Sequence, residues 1–334
     1  MKYSEIKQSI VSQFNAPNGN KVVPFLLGAP GGGKSACARD ALAALGFTAE
    51  NTVEFVASLR DPVDVLGTPN NNGDYTQWVP PREFWKLRKG VGRCALLLEE
   101  LSDAPVPMQN ALCGVIYDRR AGDLELSDEL FIIATGNRTE DKSGANRITS
   151  KLAGRTRRFD FVENIDDWTE WALERDISPV LIQFIRFRPG LLSDFDPNRF
   201  ANPTPRTWEK VSMIPEDLPD GLYLDNVSGD VGPGAAAEYV GFRRIYMGLP
   251  DIDTLLLDPK NADVPSDPAV RYALCGALAR KATKDNFDRV CSYMGRMPPE
   301  FNVMAIRDAL KLSPEVKQAK AFREWAVKHA EVLM

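Results

Sequence analysis

The sequence predicts an α/β fold, a doubly wound parallel sheet followed by an all-helical region. Three observations predict it. Up to Asn164, short apolar runs alternate with segments of helical period, the pattern of strand–helix–strand units whose strands are covered on both faces. A glycine-rich stretch, GAPGGGKS over Gly28–Ser35, separates the first such strand from the first such helix. Beyond Asn164 the strand signals nearly vanish and helical patterns follow one another. The change of character falls within residues 163–177, and two domains are expected, 1–164 and 165–334. A chain of 334 residues is long enough to give each a core.

The elements follow in order. MKYSEIKQSIVSQF reads as a short amphipathic helix without an apolar signal core. VVPFLL, Val22–Leu27, is an apolar run that ends at the glycine loop and reads as a buried strand. SACARDALAALG carries small and apolar residues at helical spacing, with Gly46 as its stop. TVEFVAS, Thr52–Ser58, is rich in β formers and is the second strand. Arg60–Trp78 contains DP, GTP and NNNGD and is expected to form a loop or short hairpin. Arg82–Lys89 predicts a short helix, CALLL at Cys94–Leu98 a third strand, and Pro105–Tyr117 a helix. Gly122–Ser127 reads as a hairpin that leads into the strand ELFIIAT. A helix at Asn146–Ala153 and the strand RFDFV, Arg158–Val162, complete the first half. In the second half DDWTEWALERD, SPVLIQFIRF, TPRTWEKVSMI and AAAEYVGFRRI are helical. Leu218–Gly234, rich in Gly, Asp and Pro, reads as a mobile inserted loop.

Composition narrows the function classes. The chain is 44% hydrophobic and 26% charged, with 41 Lys plus Arg against 46 Asp plus Glu and a net charge of -5. That balance argues against unspecific binding to nucleic acid or anionic membranes. No apolar run approaches the ~18 residues of a membrane span, so no membrane insertion is expected. Cys37, Cys94, Cys113, Cys275 and Cys291 are scattered without a CxxC pair. They read as free thiols of a cytoplasmic protein, in the host cytoplasm if the chain is phage-encoded. His329 is the only histidine, which argues against a zinc site or a His-based triad and leaves it a structural role on a terminal helix.

The motifs carry more. Gly28-Ala29-Pro30-Gly31-Gly32-Gly33-Lys34-Ser35 matches GxxxxGK[ST] in full. Its glycines allow backbone N–H groups to turn inward around phosphate oxygens, and the helix through Ala36 adds its positive end. Lys34 is placed to reach the β- and γ-phosphates and Ser35 to ligate magnesium, so ATP and Mg2+ are the expected ligands. A chance glycine turn would lack the strand before it and the helix after it. CALLLEE then ends a buried strand with two carboxylates. Glu99 takes the metal-side role, and Glu100 the role of polarising the attacking water. Glutamate is one methylene longer than the usual metal-side residue, and hydrolysis is expected through a small backbone shift or a changed water count. Asn137, ending the strand of ATGNR, is expected beside the γ-phosphate, positioning water. LAGRTRRFDF offers Arg155, Arg157 and Arg158, any of which could project into a neighbouring subunit's nucleotide site. Arg206 in NPTPRTWEK opens a helix of the second half and is expected to fold over the phosphates.

With these motifs the chain resembles an AAA+ ATPase, and within that superfamily the MoxR-like branch of bacterial or phage type. The resemblance covers nearly the whole chain: GAPGGGKS, SLRDPVDVLGTP, LLLEELSDAPVPMQNAL, ATGNRTEDKSGA, PTPRTWEKVS and GPGAAAEYVGF. It implies a P-loop NTPase (AAA+) sheet with a C-terminal helical lid and extension. It also implies a homo-oligomeric ring, expected to be a hexamer, with nucleotide at each subunit interface. In such relatives the finger arginine lies thirteen residues before the first Trp of a W-x-x-W-A helix. Trp168 and Trp171 supply that mark and select Arg155, although Thr156 stands where an aromatic is common; Arg158 is the substitute. The two tryptophans themselves read as core anchors. The resemblance implies ATP hydrolysis coupled to remodelling or activation of a protein client, as in a chaperone, possible partners including a von Willebrand factor A domain protein.

Two other functions compete. A nucleic-acid motor would present cations to phosphates, but the expected hairpin GTPNNNGDYTQW carries Tyr75 and Trp78 and no Lys or Arg, which suits a peptide better. A nucleotide-gated scaffold with very slow turnover rests on Glu99 alone.

Overall fold

The computed structural model describes residues 1–71, 73–141, 144–175 and 177–329. Asn72 of the expected turn, Lys142 and Ser143 of ATGNRTEDKSGA, and Asp176 lie outside the described residues. The chain divides into two compact units, Met1–Asn164 and Ile165–Met334.

The first unit begins with α1 (Tyr3–Asn15), β1 (Val23–Gly28), α2 (Lys34–Ala44) and β2 (Thr52–Val56). A short turn of helix α3 (Val63–Leu66), the hairpin β3 (Thr68–Asn71) and β4 (Thr76–Val79), and α4 (Arg82–Trp85) fill the segment read as loop or hairpin and short helix. Next come β5 (Cys94–Glu99), α5 (Val106–Cys113), the hairpin β6 (Arg120–Ala121) and β7 (Leu124–Glu125), and β8 (Leu130–Asn137). The unit closes with α6 (Ser150–Ala153) and β9 (Thr156–Asp160).

Strands β2, β5, β8, β1 and β9 pair in that order into one parallel sheet. The apolar runs of β1, β5 and β8 are continuous because these central strands are buried on both sides, whereas the edge strands β2 and β9 keep exposed residues. Phe25, Leu27, Leu96, Leu98, Ile132 and Ala134 pack on one face with Met108 and Leu112 of α5. Leu26, Ala95, Leu97, Phe131 and Ile133 pack on the other with Ile6 and Ile10 of α1 and Ala38 and Ala41 of α2. Parallel pairing brings the C-terminal ends of the strands to one edge of the sheet. There Gly28 stands opposite Asn137 and Val56 opposite Glu99.

Two expectations shift here. Only Ser150–Ala153 of the expected Asn146–Ala153 helix is helical, because Asn146 is spent on Ser102, Asp103 and Ala104: its N–H donates to the Ser102 carbonyl at 2.8 Å and its side chain to the other two carbonyls. The last strand begins at Thr156, earlier than RFDFV suggested, since pairing with β1 starts at Val23 opposite Thr156.

The second unit is helical throughout its named elements, apart from short 3-10 turns. They are α7 (Ile165–Glu174), α8 (Pro179–Phe187), α9 (Pro205–Val211), α10 (Asp220–Val231), α11 (Pro233–Met247), α12 (Ile252–Leu257), α13 (Pro268–Lys281), α14 (Phe287–Met294), α15 (Pro299–Leu312) and α16 (Lys320–Lys328). Phe184, Trp208 and Tyr239 pack ring against ring at one core, which Trp168 also joins and against which Trp171 packs. His329 packs on Trp325 with ring centroids 4.9 Å apart and the rings tilted by 33°. The expected mobile loop Leu218–Gly234 is instead mostly helix. Tyr223, Val227 and Val231 recur every fourth residue and are buried on one stripe, so tertiary burial overrides the weak local propensity of the Gly and Asp residues between them. The fold is α/β, a doubly wound parallel sheet of five strands with an all-helical unit after it.

Candidate functional site

The loop that leaves β1 turns through Gly31 and Gly33 at φ 73° and 102°, a region that side chains other than glycine's adopt at a cost. Gly28 and Gly32 serve a different need, close approach. The chain leaving β9 lies on the loop: Phe161 N–H donates to the Leu27 carbonyl at 2.7 Å. A Cβ on Gly28 would stand 2.9 Å from the Phe161 carbonyl oxygen, and one on Gly32 would stand 2.0 Å from Glu163 Oε1. The loop is thus closely approached by the Phe161 backbone at Gly28 and by the Glu163 carboxylate at Gly32.

Lys34 opens α2 and is buried. Its ammonium donates to the carbonyls of Gly28 at 2.9 Å and Ala29 at 2.6 Å, and to Asn137 Oδ1 at 3.0 Å. Asn137 is fixed in turn. Its Nδ2 donates to Asp103 Oδ2 at 2.7 Å, and its backbone N–H donates to Ser102 Oγ at 2.6 Å. Gly136 beside it has no room for a side chain, since a Cβ would meet Ser102 Oγ at 2.6 Å. Ser102 and Asp103 are positioning groups that the sequence reading missed. The available signal was their place three and four residues after Glu99, at the edge where the strands end.

The two acids diverge. Glu99 is the last residue of β5, and its Oε2 accepts from Ser35 Oγ at 2.6 Å. Its Oε1 accepts from Arg39 of α2, another residue the reading missed. Glu100 leaves the strand with φ 54°, left-handed for a non-glycine residue. That conformation costs about 1–2 kcal/mol. It turns the Glu100 side chain away from its neighbour, into solvent, where it accepts from Ser58 Oγ.

These groups fit the expected ligands. A bare glycine loop running into the first turn of an eleven-residue helix presents N–H groups that no helix satisfies internally, and with them the positive end of its dipole. Ser35 Oγ and the Glu99 carboxylate are adjacent hard oxygens. Magnesium at phosphate sites takes one or two such groups, keeps several waters and uses phosphate oxygens for the rest. Among the described residues no group of three or more His, Cys, Asp or Glu forms a dense all-protein cage, and this donor set does not require one.

The arginines separate. Arg155 follows α6, its guanidinium 4.5 Å above the Tyr117 ring and its Nη1 donating to the Lys151 carbonyl at 2.8 Å. Tyr117 is itself 67% exposed, so the cation rests on a surface ring. Arg157 donates to Gln13 Oε1 at 3.0 Å, and Arg158 pairs with Asp160 at 2.7 Å. Arg206 lies in the first turn of α9 in the second unit, with an exposed side chain. On the β3–β4 hairpin Tyr75 and Trp78 are 64% and 44% exposed. Among the described residues no helix is long and apolar enough to cross a membrane.

No protein-family model matches the sequence, and no curated protein matches it. Solved structures resemble the chain. The crystal structure of NtrX from Brucella abortus has 15% sequence identity and a TM-score of 0.40, over 92% of this chain and 67% of that one; the same protein in complex with ATP gives the same values. A point mutant of Thermotoga maritima RuvB has 13% identity and a TM-score of 0.39, over 77% of this chain and 74% of that one.

Proposed function

We propose that this chain is a ring-forming AAA+ ATPase of MoxR-like type, which couples Mg-ATP binding and hydrolysis to remodelling or activation of a protein client. The observation that carries the nucleotide part is a convergence at one sheet edge. Lys34 meets Asn137, and Ser35 meets Glu99, across 103 and 64 residues of sequence. Chance glycine turns have no reason to gather these partners.

The first unit is the nucleotide-binding core, and the second unit the lid with its extension. In the core, the loop from Gly28 to Gly33 with Lys34, Ser35 and Ala36 binds the phosphates. Lys34 exchanges loop carbonyls for phosphate oxygens, and Asn137, held by Ser102 and Asp103, orients the water. Glu100 accepts that water's proton as it attacks. Ser35 and Glu99 would hold Mg2+, which offsets charge on the transferring phosphate. Arg155 acts from a neighbouring subunit, its side chain presented at the surface on Tyr117, and Arg206 acts from the lid. The exposed, cation-free Tyr75 and Trp78 hairpin supports a polypeptide client over nucleic acid.

The test is phosphate release from ATP with Mg2+, measured against protein concentration, with and without DNA. Turnover that rises as subunits assemble, ignores DNA and vanishes in Glu100→Gln while ATP still binds supports the reading. DNA-stimulated turnover would favour a nucleic-acid motor, and an inactive wild type that binds ATP would favour a gated scaffold.

A further inference from the structure

The metal-side acid is a glutamate, and the side chain that makes use of its extra length is Arg39. Arg39 stands on α2, just over one helical turn beyond Lys34, and reaches two acids at once. Its Nε and Nη2 form a fork on Glu54 of β2, at 2.8 and 2.9 Å. The same Nη2 also donates to Glu99 Oε1, which leaves Glu99 Oε2 to accept from Ser35 Oγ at 2.6 Å. Glu99 is only 14% exposed, whereas Arg39 and Glu54 are about half exposed. The solvated ends of the network, held on α2 and β2, therefore bear on its more buried end. The Glu54 hydrogen bond, acting with the attraction of Glu99, raises the Arg39 guanidinium above its ordinary range, and Arg39 holds Glu54 below the usual carboxylate range.

We propose that Arg39, anchored by Glu54, is a positioning residue for the metal-side acid. It draws one Glu99 oxygen back and leaves the other aimed at Ser35, so that a glutamate serves where a shorter acid is usual. The proposal rests on the nucleotide reading. A glutamate with one oxygen unheld has one more rotatable bond than aspartate and loses its aim. An aspartate at the same place is a methylene short of bridging Ser35 and Arg39, so Arg39 has nothing to hold there. Among the described residues Arg39 bonds to Glu54 and Glu99, so it bears on the cation shell and not on the phosphates.

The test uses the full chain with ADP and Mn2+, followed by loss of the free-Mn2+ electron spin resonance signal, and ADP affinity in EDTA measured by calorimetry. Arg39→Gln should weaken Mn2+ binding to the ADP complex about tenfold, as outer partners of metal ligands do, and leave ADP affinity in EDTA unchanged. Glu54→Gln should shift Mn2+ affinity in the same direction by less. In a Glu99→Asp background, Arg39→Gln should cause no further loss. Unmoved or tighter Mn2+ binding in Arg39→Gln overturns the role of Arg39, as does full additivity with Glu99→Asp. Circular dichroism spectra of the variants guard against misfolding, and Arg39→Lys, which keeps charge but loses the fork, should fall between wild type and Arg39→Gln. Absence of ADP binding in the wild type is a separate result, which removes the nucleotide reading itself.

Discussion

Replacing Lys34 by Met keeps the aliphatic stem and deletes the ammonium. All three ammonium hydrogens have acceptors without nucleotide, at 2.6, 2.9 and 3.0 Å. The lysine therefore holds its own loop shut and ties it to Asn137. Two consequences follow, of similar size. The nucleotide-free chain loses three charge-assisted bonds, each worth ~1.5–3 kcal/mol when the acceptor stays dry. Water can reach the freed carbonyls from the partly exposed turn at Pro30, Gly31 and Gly33, so the net destabilisation is about 2 kcal/mol, or ~4–8 °C in melting temperature. ATP affinity falls by one charge-assisted contact, since phosphate must draw the ammonium off a loop carbonyl. About 1.5–3 kcal/mol corresponds to roughly 10- to 150-fold in Kd. Scanning calorimetry reads the first effect and isothermal titration with ATP the second. A Lys34→Met chain that melts with the wild type and binds ATP within threefold of it would refute both the loop-holding role and the phosphate contact. A lowered melting point with unchanged affinity would leave Lys34 as a structural clasp alone.

Three further outcomes are expected. Glu100→Gly and Glu100→Gln both remove the carboxylate and should both abolish turnover, but only glycine relieves the left-handed φ of 54°; the glycine variant should unfold at higher denaturant, by up to ~1 kcal/mol. Arg155→Ala, whose own phosphate loop is intact, should lose about 10³-fold in turnover and regain some when mixed with the inactive Lys34→Met, whose arginine is intact; turnover per subunit that stays constant down to a demonstrable monomer would rule out a shared site. In the second unit the Asp308 side chain is 4% exposed and pairs with the half-buried Arg186, with Nη2 to Oδ1 at 2.8 Å. Asp308→Ala leaves that guanidinium uncompensated and should cost about 3–5 kcal/mol in urea unfolding, much of it recovered in the Arg186→Met, Asp308→Leu double variant.

The strands and the glycine loop were legible in the residues. A strand covered on both faces must be apolar throughout, so VVPFLL, CALLL and ELFIIAT stand out. A loop built on positive φ must carry glycine, and its lysine and serine are contiguous with it. Asn137 was legible because it ends such a strand at the same edge. Helix α10 was not, because its glycines and aspartates are poor helix formers and only the burial of Tyr223, Val227 and Val231 makes them helical.

What the sequence by itself determined is therefore part of the backbone: which runs lie in the sheet and where the glycine loop must turn. The tertiary structure decided the partners. It set Lys34 on Asn137, Glu99 between Ser35 and Arg39, Asn137 on Ser102 and Asp103, and Arg155 on Tyr117 while Arg157 and Arg158 turn to other groups. The physical reason is range. Backbone conformation and burial are imposed over a few residues by steric limits and by periodicity. A hydrogen bond between side chains more than a hundred positions apart depends on strand register and on the reach of each side chain to within a few tenths of an ångström, and neither is written in any local stretch.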